Sequence, residues 1–191
     1  MTRRLKITKK QIRLLLPILL LVFGVYLLIT ALAPAIPPPS QPEHIYTGKK
    51  QQPVEIKENR LYIPKISVDV AINEGTAAVL EKGAWHRKPE NGNPEKGGNF
   101  VLSAHRFELG FTPQRTRAKS PFYHVDKLQA GDKIFVDYNQ KRYTYEVTKK
   151  YKVDRNAVQI EAPSIEPKMT LYSCDLRGEK AGREVIEASR S

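Results

Sequence analysis

The sequence predicts a mainly β fold: a closed or nearly closed barrel of about eight short strands with two or three small helices, preceded by one transmembrane helix. Three observations lead there. An uncharged run, "LLLPILLLVFGVYLLITALAPAI" at 14–36, stands behind a basic arm. A proline-rich stretch follows it. From about residue 57 the texture turns into short runs of β-branched and aromatic residues, each broken by Gly, Pro, Asn or Asp.

The arm comes first. Residues 1–13 carry six basic groups (Arg3, Arg4, Lys6, Lys9, Lys10, Arg13) and no acid, which is half of the formal net charge of +12. The remaining excess is spread among acids, with no basic stripe interleaved with aromatics, so no nucleic-acid partner is expected. The uncharged run of 14–36 is long enough to cross a hydrocarbon core of about 30 Å as a helix. It is apolar on every side, which does not fit a core helix packed on one face. A cleaved signal peptide is the rival, because Ala31-Leu32-Ala33 and Ala33-Pro34-Ala35 have the small-residue cleavage pattern. Its apolar region should be only about 7–15 residues, however, and this one is longer. An uncleaved anchor is expected, with the arm cytoplasmic and the rest outside: a single-pass protein of the cell membrane.

Residues 37–56 read as a tether, since five of the seventeen residues in 37–53 are proline. Residues 57–191 remain as one extracytoplasmic domain, long enough for one core and hardly for two. Within it, "RLYIPKI" and "VDVAI" are short strands, with Pro64 marking a break. "TAAVLEKG" (76–83) reads as a two-turn helix capped by Thr76 and stopped by Gly83. "NFVLSA" (99–104) is an apolar strand. "SPFYHVDKL" (120–128) has Ser at the N-cap and Pro at the first helical position. "KIFVDY" and "KRYTYEVT" flank Asn139-Gln140 as a hairpin, with Tyr143, Tyr145 and Val147 on one face. "MTLYS" and "REVIEA" complete the strands, joined by "DLRGEKAG", which reads as a loop.

Cys174 is the only cysteine, which excludes an intrachain disulfide and any multi-cysteine metal or redox motif. An ordinary thiol is only a few per cent ionised at neutral pH, so a working cysteine needs a cationic or hydrogen-bonding neighbourhood. Four histidines are available. His44 lies in the tether, His86 follows Trp85 in a loop region, and His124 lies on the expected 120–128 helix beside Phe122 and Tyr123. His105 stands at the end of "NFVLSA" and is followed by Arg106, at the mouth of a sheet, where a rigid scaffold presents reactive groups. Read by themselves, Cys174 is compatible with an inert buried thiol and His105 with a packing residue.

At these residues the sequence resembles the sortase family. "TLYSC" is similar to the segment that ends in the family's catalytic cysteine, and "GGNFVLSAHR" to the one that ends in its histidine. "REVIEA" resembles the last strand, which begins with the essential arginine. The opening "NRLYIPKISVDVAI", the order His–Cys–Arg and the 69-residue separation of His105 from Cys174 also fit. The resemblance covers about residues 59–190 and implies a sortase-type eight-stranded barrel with His105, Cys174 and Arg183 as catalytic residues. Arg177, in the loop, is the alternative for the arginine; Arg183, at the start of the strand, is preferred as the match to the family pattern. Ser103, Ala104, Thr170, Tyr172 and Ser173, which lie in these segments, are the candidate substrate-binding residues. Two of them depart from the family pattern. Ser173 stands where threonine is usual, and Ser103-Ala104 where Ala-Gly is usual, which adds bulk near the groove.

The resemblance further implies a cysteine transpeptidase acting on secreted proteins that carry a C-terminal Leu-Pro-x-Thr-Gly-like sorting motif. Cys174 would attack the Thr–Gly carbonyl, His105 would move the protons and Arg183 would stabilise the oxyanion. An amine acceptor, a cell-wall precursor or a pilin lysine, would then take the acyl group. No cofactor is implied, and the carboxylates of "ENGNPEKGGN" match no calcium site of the family. The tether holds no Asp-Pro-aromatic lid of the pilus-building kind, which favours wall anchoring. Two other readings stay open on the residues alone. One is a membrane-tethered β-barrel binding module with structural Cys174 and His105; the other is a cysteine peptidase that hydrolyses wall peptides.

Overall fold

The computed structural model describes residues 9–36 and 56–191. Helix α1 (Lys9–Leu32) runs through the uncharged stretch with Pro17 inside it, and a 3₁₀ turn (Ala33–Ala35) ends it. The apolar segment Arg13–Ala35 is long and apolar enough to cross a membrane. The tether, His44 and the start of the basic arm lie outside the described residues. After a carbonate or high-salt wash the full-length protein is expected to stay with the membrane fraction. A secreted form beginning near Pro34 or Ile36 would show that a signal peptide had been mistaken for an anchor.

Nine strands follow among the described residues: β1 (Arg60–Ile63), β2 (Val68–Asn73), β3 (Ala84–His86), β4 (Gly92–Asn93), β5 (Gly97–Ser103), β6 (Lys133–Tyr138), β7 (Lys141–Val153), β8 (Lys168–Asp175) and β9 (Gly178–Arg190). Their order is β3-β2-β1-β6-β7-β9-β8-β5-β4, and β3 also pairs with β5. That last pairing closes eight strands into a barrel and leaves β4 as an appendage of β5. Closure removes the sheet edges that would otherwise invite association.

Alternation along each strand fills the barrel. Leu61, Ile63, Phe100, Leu102, Ile134, Val136, Tyr143, Tyr145, Val147, Met169, Leu171 and Ile186 form the interior cluster. A second cluster, Val101, Ile160, Tyr172 and Val185, covers the outer face of β5, β8 and β9. Asn139 and Gln140, both with positive φ (48° and 63°), make the two-residue turn between β6 and β7 that matches strand twist.

The expected helices need correction. Residues 77–82 form a 3₁₀ helix rather than an α-helix, and the Thr76 hydroxyl makes no capping bond. The six residues lie within the ten-residue connection between β2 and β3, a place where 3₁₀ turns commonly serve as connectors. Residues 121–124 are turns followed by one 3₁₀ turn (Val125–Lys127), so His124 caps a turn and does not sit on a helix. The α-helix of this region is α2 (Pro113–Lys119), eight residues earlier, where the Thr112 hydroxyl accepts from the Arg115 N–H at 3.2 Å and Pro113 opens the first turn. Ser120 is the C-cap of α2, and its hydroxyl bonds the backbone of Glu108, which removes it as an N-cap. His86 is also not in a loop. It ends β3 with its ring buried against Phe100, Nδ1 at 3.0 Å from the Glu74 carboxylate and Nε2 at 3.0 Å from the Gly92 carbonyl.

Candidate active site

Strands β5 and β8 run parallel, so their carboxyl ends lie at the same end of the barrel. Ser103 pairs with Tyr172, which brings His105, just beyond β5, level with Cys174 near the end of β8. Strand β9 runs antiparallel to β8, and Cys174 lies directly opposite Arg183. Directly opposed residues project from the same face of a sheet, about 5 Å apart at Cα. The ladder breaks immediately beyond this pair. The next partner of β8 is Asp175 with Gly178, so residues 179–182 leave the pairing, and "DLRGEKAG" is a hairpin with a bulge. Gly182 sits at φ +103°, where a Cβ would stand 2.4 Å from the Val153 carbonyl oxygen. Only glycine lets β9 re-enter the sheet that close to β7, and Arg183 is the first residue after it.

His105, Cys174 and Arg183 line one cavity of about 530 Å³. It lies on the outer face of β5, β8 and β9, since the barrel interior is filled. Its apolar wall includes Leu80, Trp85, Ala104 and Leu176, and its cations include Arg87 and Arg106. His105 is about a quarter exposed, and its Nε2 faces the Glu81 carboxylate at 3.5 Å. Lys119 bonds the other oxygen of Glu81 at 2.5 Å, and this bond is the main reason its carboxyl is held below the usual range. The Arg183 guanidinium rests 5.2 Å from the centre of the Tyr172 ring and donates Nε–H to the Arg155 carbonyl oxygen at 3.1 Å. Arg177 does not line the cavity. Its guanidinium and backbone N–H both bond the Asp175 carboxylate, which with Lys152 hold that carboxyl far below the usual range.

The five expected groove residues divide. Ser103, Ala104 and Tyr172 line the cavity. Ser173 does not, because strand alternation turns it with Leu171 and Met169 to the barrel interior, where it is 1% exposed. Thr170 shares the face of Cys174 but lies four residues back, about 13 Å along the strand. It is fully buried, donating its hydroxyl to Asn99 Oδ1 at 2.8 Å, while Asn99 Nδ2 donates to the carbonyls of Ile160 and Ala162. Thr170 therefore helps to pin the 3₁₀ helix Val158–Glu161 over the outer face of the barrel.

Tyr172 has a second role. Its hydroxyl donates to Glu161 Oε1 at 2.5 Å, and Arg87 Nε donates to the same oxygen. Burial first, and then this bond, push the phenol well above its ordinary value, so it stays a neutral donor. Glu81, Arg87 and Glu161 were not predicted from the sequence. Each meets its partner across a large sequence separation, 74 residues for Arg87 and Glu161, and no local pattern marks them.

The family model for the sortase domain matches residues 61–191. Sortase D of Bacillus subtilis is 34% identical over 101 residues, which is 52% of this chain and 44% of that protein. Sortase SrtE1 of Streptomyces coelicolor is 35% identical over 94 residues, 46% of this chain and 24% of that protein. The matched segments thus span less than half the length of either relative. Among solved structures, a sortase D5 transpeptidase of Clostridium perfringens superposes with a TM-score of 0.59 at 25% identity, over 70% of this chain and 78% of that one.

Proposed function

The chain belongs to the sortase family, and from that premise we propose that its domain is a membrane-held cysteine transpeptidase acting on secreted proteins with a C-terminal sorting motif of the Leu-Pro-x-Thr-Gly kind. The observation that carries the proposal is the convergence on one cavity of the only thiol and His105, at the ends of β8 and β5, with Arg183, where β9 re-enters the ladder. As thiolate, Cys174 attacks the Thr–Gly carbonyl; the C–N bond breaks and a thioester forms. His105 as imidazolium gives its proton to the departing amine, then takes one from the incoming amine that displaces the thioester. Arg183, a fixed cation paired opposite the thiol's residue, stabilises the oxyanion of the tetrahedral intermediate. The acceptor is an amine of the wall or of a pilin, with water as the competing nucleophile, and anchoring to the wall is the preferred outcome. The decisive experiment is mass spectrometry of the protein incubated with a small library of motif peptides. A mass increase on Cys174 equal to the acyl fragment supports the proposal, and unmodified protein with every peptide overturns it.

Tyr172 acts in this scheme as a positioning residue for Arg183. Tyr172→Phe keeps the ring under the guanidinium but leaves Glu161 short of a donor. It is expected to lower the melting temperature, at a cost of about 1–2 kcal/mol, with turnover within about threefold of wild type. Tyr172→Leu removes the ring face and should cost about tenfold in turnover as well, in line with cation–π contacts of roughly 1–2 kcal/mol. Equal turnover in the two variants would show that the ring does not hold Arg183.

A further inference from the structure

The last turns of α1 do not stand clear of the domain; they lie against α2 and the loop before it. The Tyr26 hydroxyl donates to the Phe111 carbonyl oxygen at 2.5 Å, and the Arg117 guanidinium donates to the Ala33 carbonyl at 3.1 and 3.3 Å. Tyr26 is inside the apolar segment Arg13–Ala35, nine residues before its outer end. At 1.5 Å per residue the contact with Phe111 lies about 13 Å below that end. The loop that makes it exposes three large apolar side chains within five residues: Phe107 at 42%, Leu109 at 52% and Phe111 at 88%. Behind it α2 carries Arg115, Arg117 and Lys119 and no acid. Glu108 is the only acid in the loop itself.

We infer that the loop of residues 107–111 is a lipid-contact surface, with Phe107, Leu109 and Phe111 entering the outer leaflet of the bilayer that α1 crosses and Arg115 and Arg117 of α2 on the side of its anionic headgroups. The occupant is the bilayer rather than a protein because the loop is bonded to a helix at a level that belongs to the membrane if the apolar segment spans it. A large apolar group backed by basic residues is also the composition of an interfacial membrane contact. Arg117 at the Ala33 carbonyl then marks the headgroup level, where a long cationic side chain is hydrated at its tip and apolar along its stem. The consequence for chemistry follows from the chain itself. The loop starts two residues after His105, and Phe107 lines the cavity, so the mouth of the cavity lies at the membrane surface. Partners that react there are held at or near the same surface, rather than drawn from bulk solution.

This inference rests on α1 as the membrane anchor, and the test separates the two. The full-length chain carrying Cys174→Ala, with a single thiol introduced by Phe111→Cys or Leu109→Cys, is labelled with an environment-sensitive nitrobenzoxadiazole dye. It is then reconstituted into phosphatidylcholine vesicles doped with phosphatidylglycerol. Lys141→Cys, on an exposed strand end, is the control. Flotation with the vesicles reports the anchor. The dyes at 109 and 111 are expected to shift to the blue and to lose emission when nitroxide-labelled acyl chains are present, while the dye at 141 does neither. Vesicles that float with the protein but leave the dyes at 109 and 111 as water-exposed as the one at 141 overturn the lipid contact alone. Failure to float overturns the anchor and the contact together.

Discussion

Cys174→Ala is expected to abolish both thioacyl adduct and amine transfer, and His105→Ala to leave a protein whose thiol still alkylates but which no longer turns over. The chain holds one cysteine, so no other thiol can substitute, and the alanine variant has no nucleophile to form the acyl intermediate. Loss of His105 removes the proton donor for the leaving amine, a group worth about a hundredfold to ten-thousandfold in such reactions. Neither change should unfold the domain. His105 is partly exposed at the end of β5, and Cys174 is half-buried at the rim of the cavity, with neither in the barrel interior. Because the productive form needs a thiolate and an imidazolium together, the rate of the unmodified protein should follow a bell-shaped pH profile. The measurement is acyl-adduct mass spectrometry beside iodoacetamide labelling. Transfer that survives in Cys174→Ala would end the mechanism, while an alkylated wild-type protein that kept its peptide ligand would favour the binding-module reading.

The barrel was legible because most of its strands carry their own punctuation. Asn139-Gln140 between two alternating runs, and Pro64 after "RLYI", mark boundaries that the ladder reproduces. The short elements were not. The sequence places the helix near residue 120 on Ser120-Pro121, yet the same hydroxyl–proline device occurs at Thr112-Pro113, and which of the two opens a helix depends on a tertiary bond from Ser120 to Glu108. β3 is three residues long and carries no periodicity of its own, so His86 looked like a loop residue although it is held in the core. The site divides along the same line. His105, Cys174 and Arg183 sit in segments that resemble family motifs, but Ser173 turns away from the cavity, because a motif gives spacing without saying which face of a strand is the groove. Glu161 is bound by Arg87 from 74 residues away and leaves no local trace.

Arg183→Lys is expected to lower turnover by about 100-fold or more, on the order of 3 kcal/mol of transition-state stabilisation, with little change in melting temperature. The geometry explains why lysine is not an adequate replacement. The guanidinium lies 5.2 Å from the centre of the Tyr172 ring and uses its Nε–H on the Arg155 carbonyl, in a residue paired directly opposite Cys174. An ammonium on a flexible stem keeps the charge but loses the planar fork and its paired donors, so its proton donors are no longer fixed where the oxyanion forms. Stability should hardly respond, because the side chain is on the outer face of the barrel and the bonds it makes are few. Arg177→Lys is the matched control. It carries the same formal change six residues away, but its side chain is held by Asp175 in the hairpin and does not reach the cavity. That pair contributes to stability above the ordinary carboxylate range, around pH 4, and loses its effect only as acid protonates Asp175 at its depressed folded-state value. Arg177→Lys should therefore leave turnover nearly unchanged at neutral pH. Comparing kcat and KM for the two variants with one motif peptide decides between them: a dead Arg177→Lys beside an active Arg183→Lys would transfer the role to the hairpin.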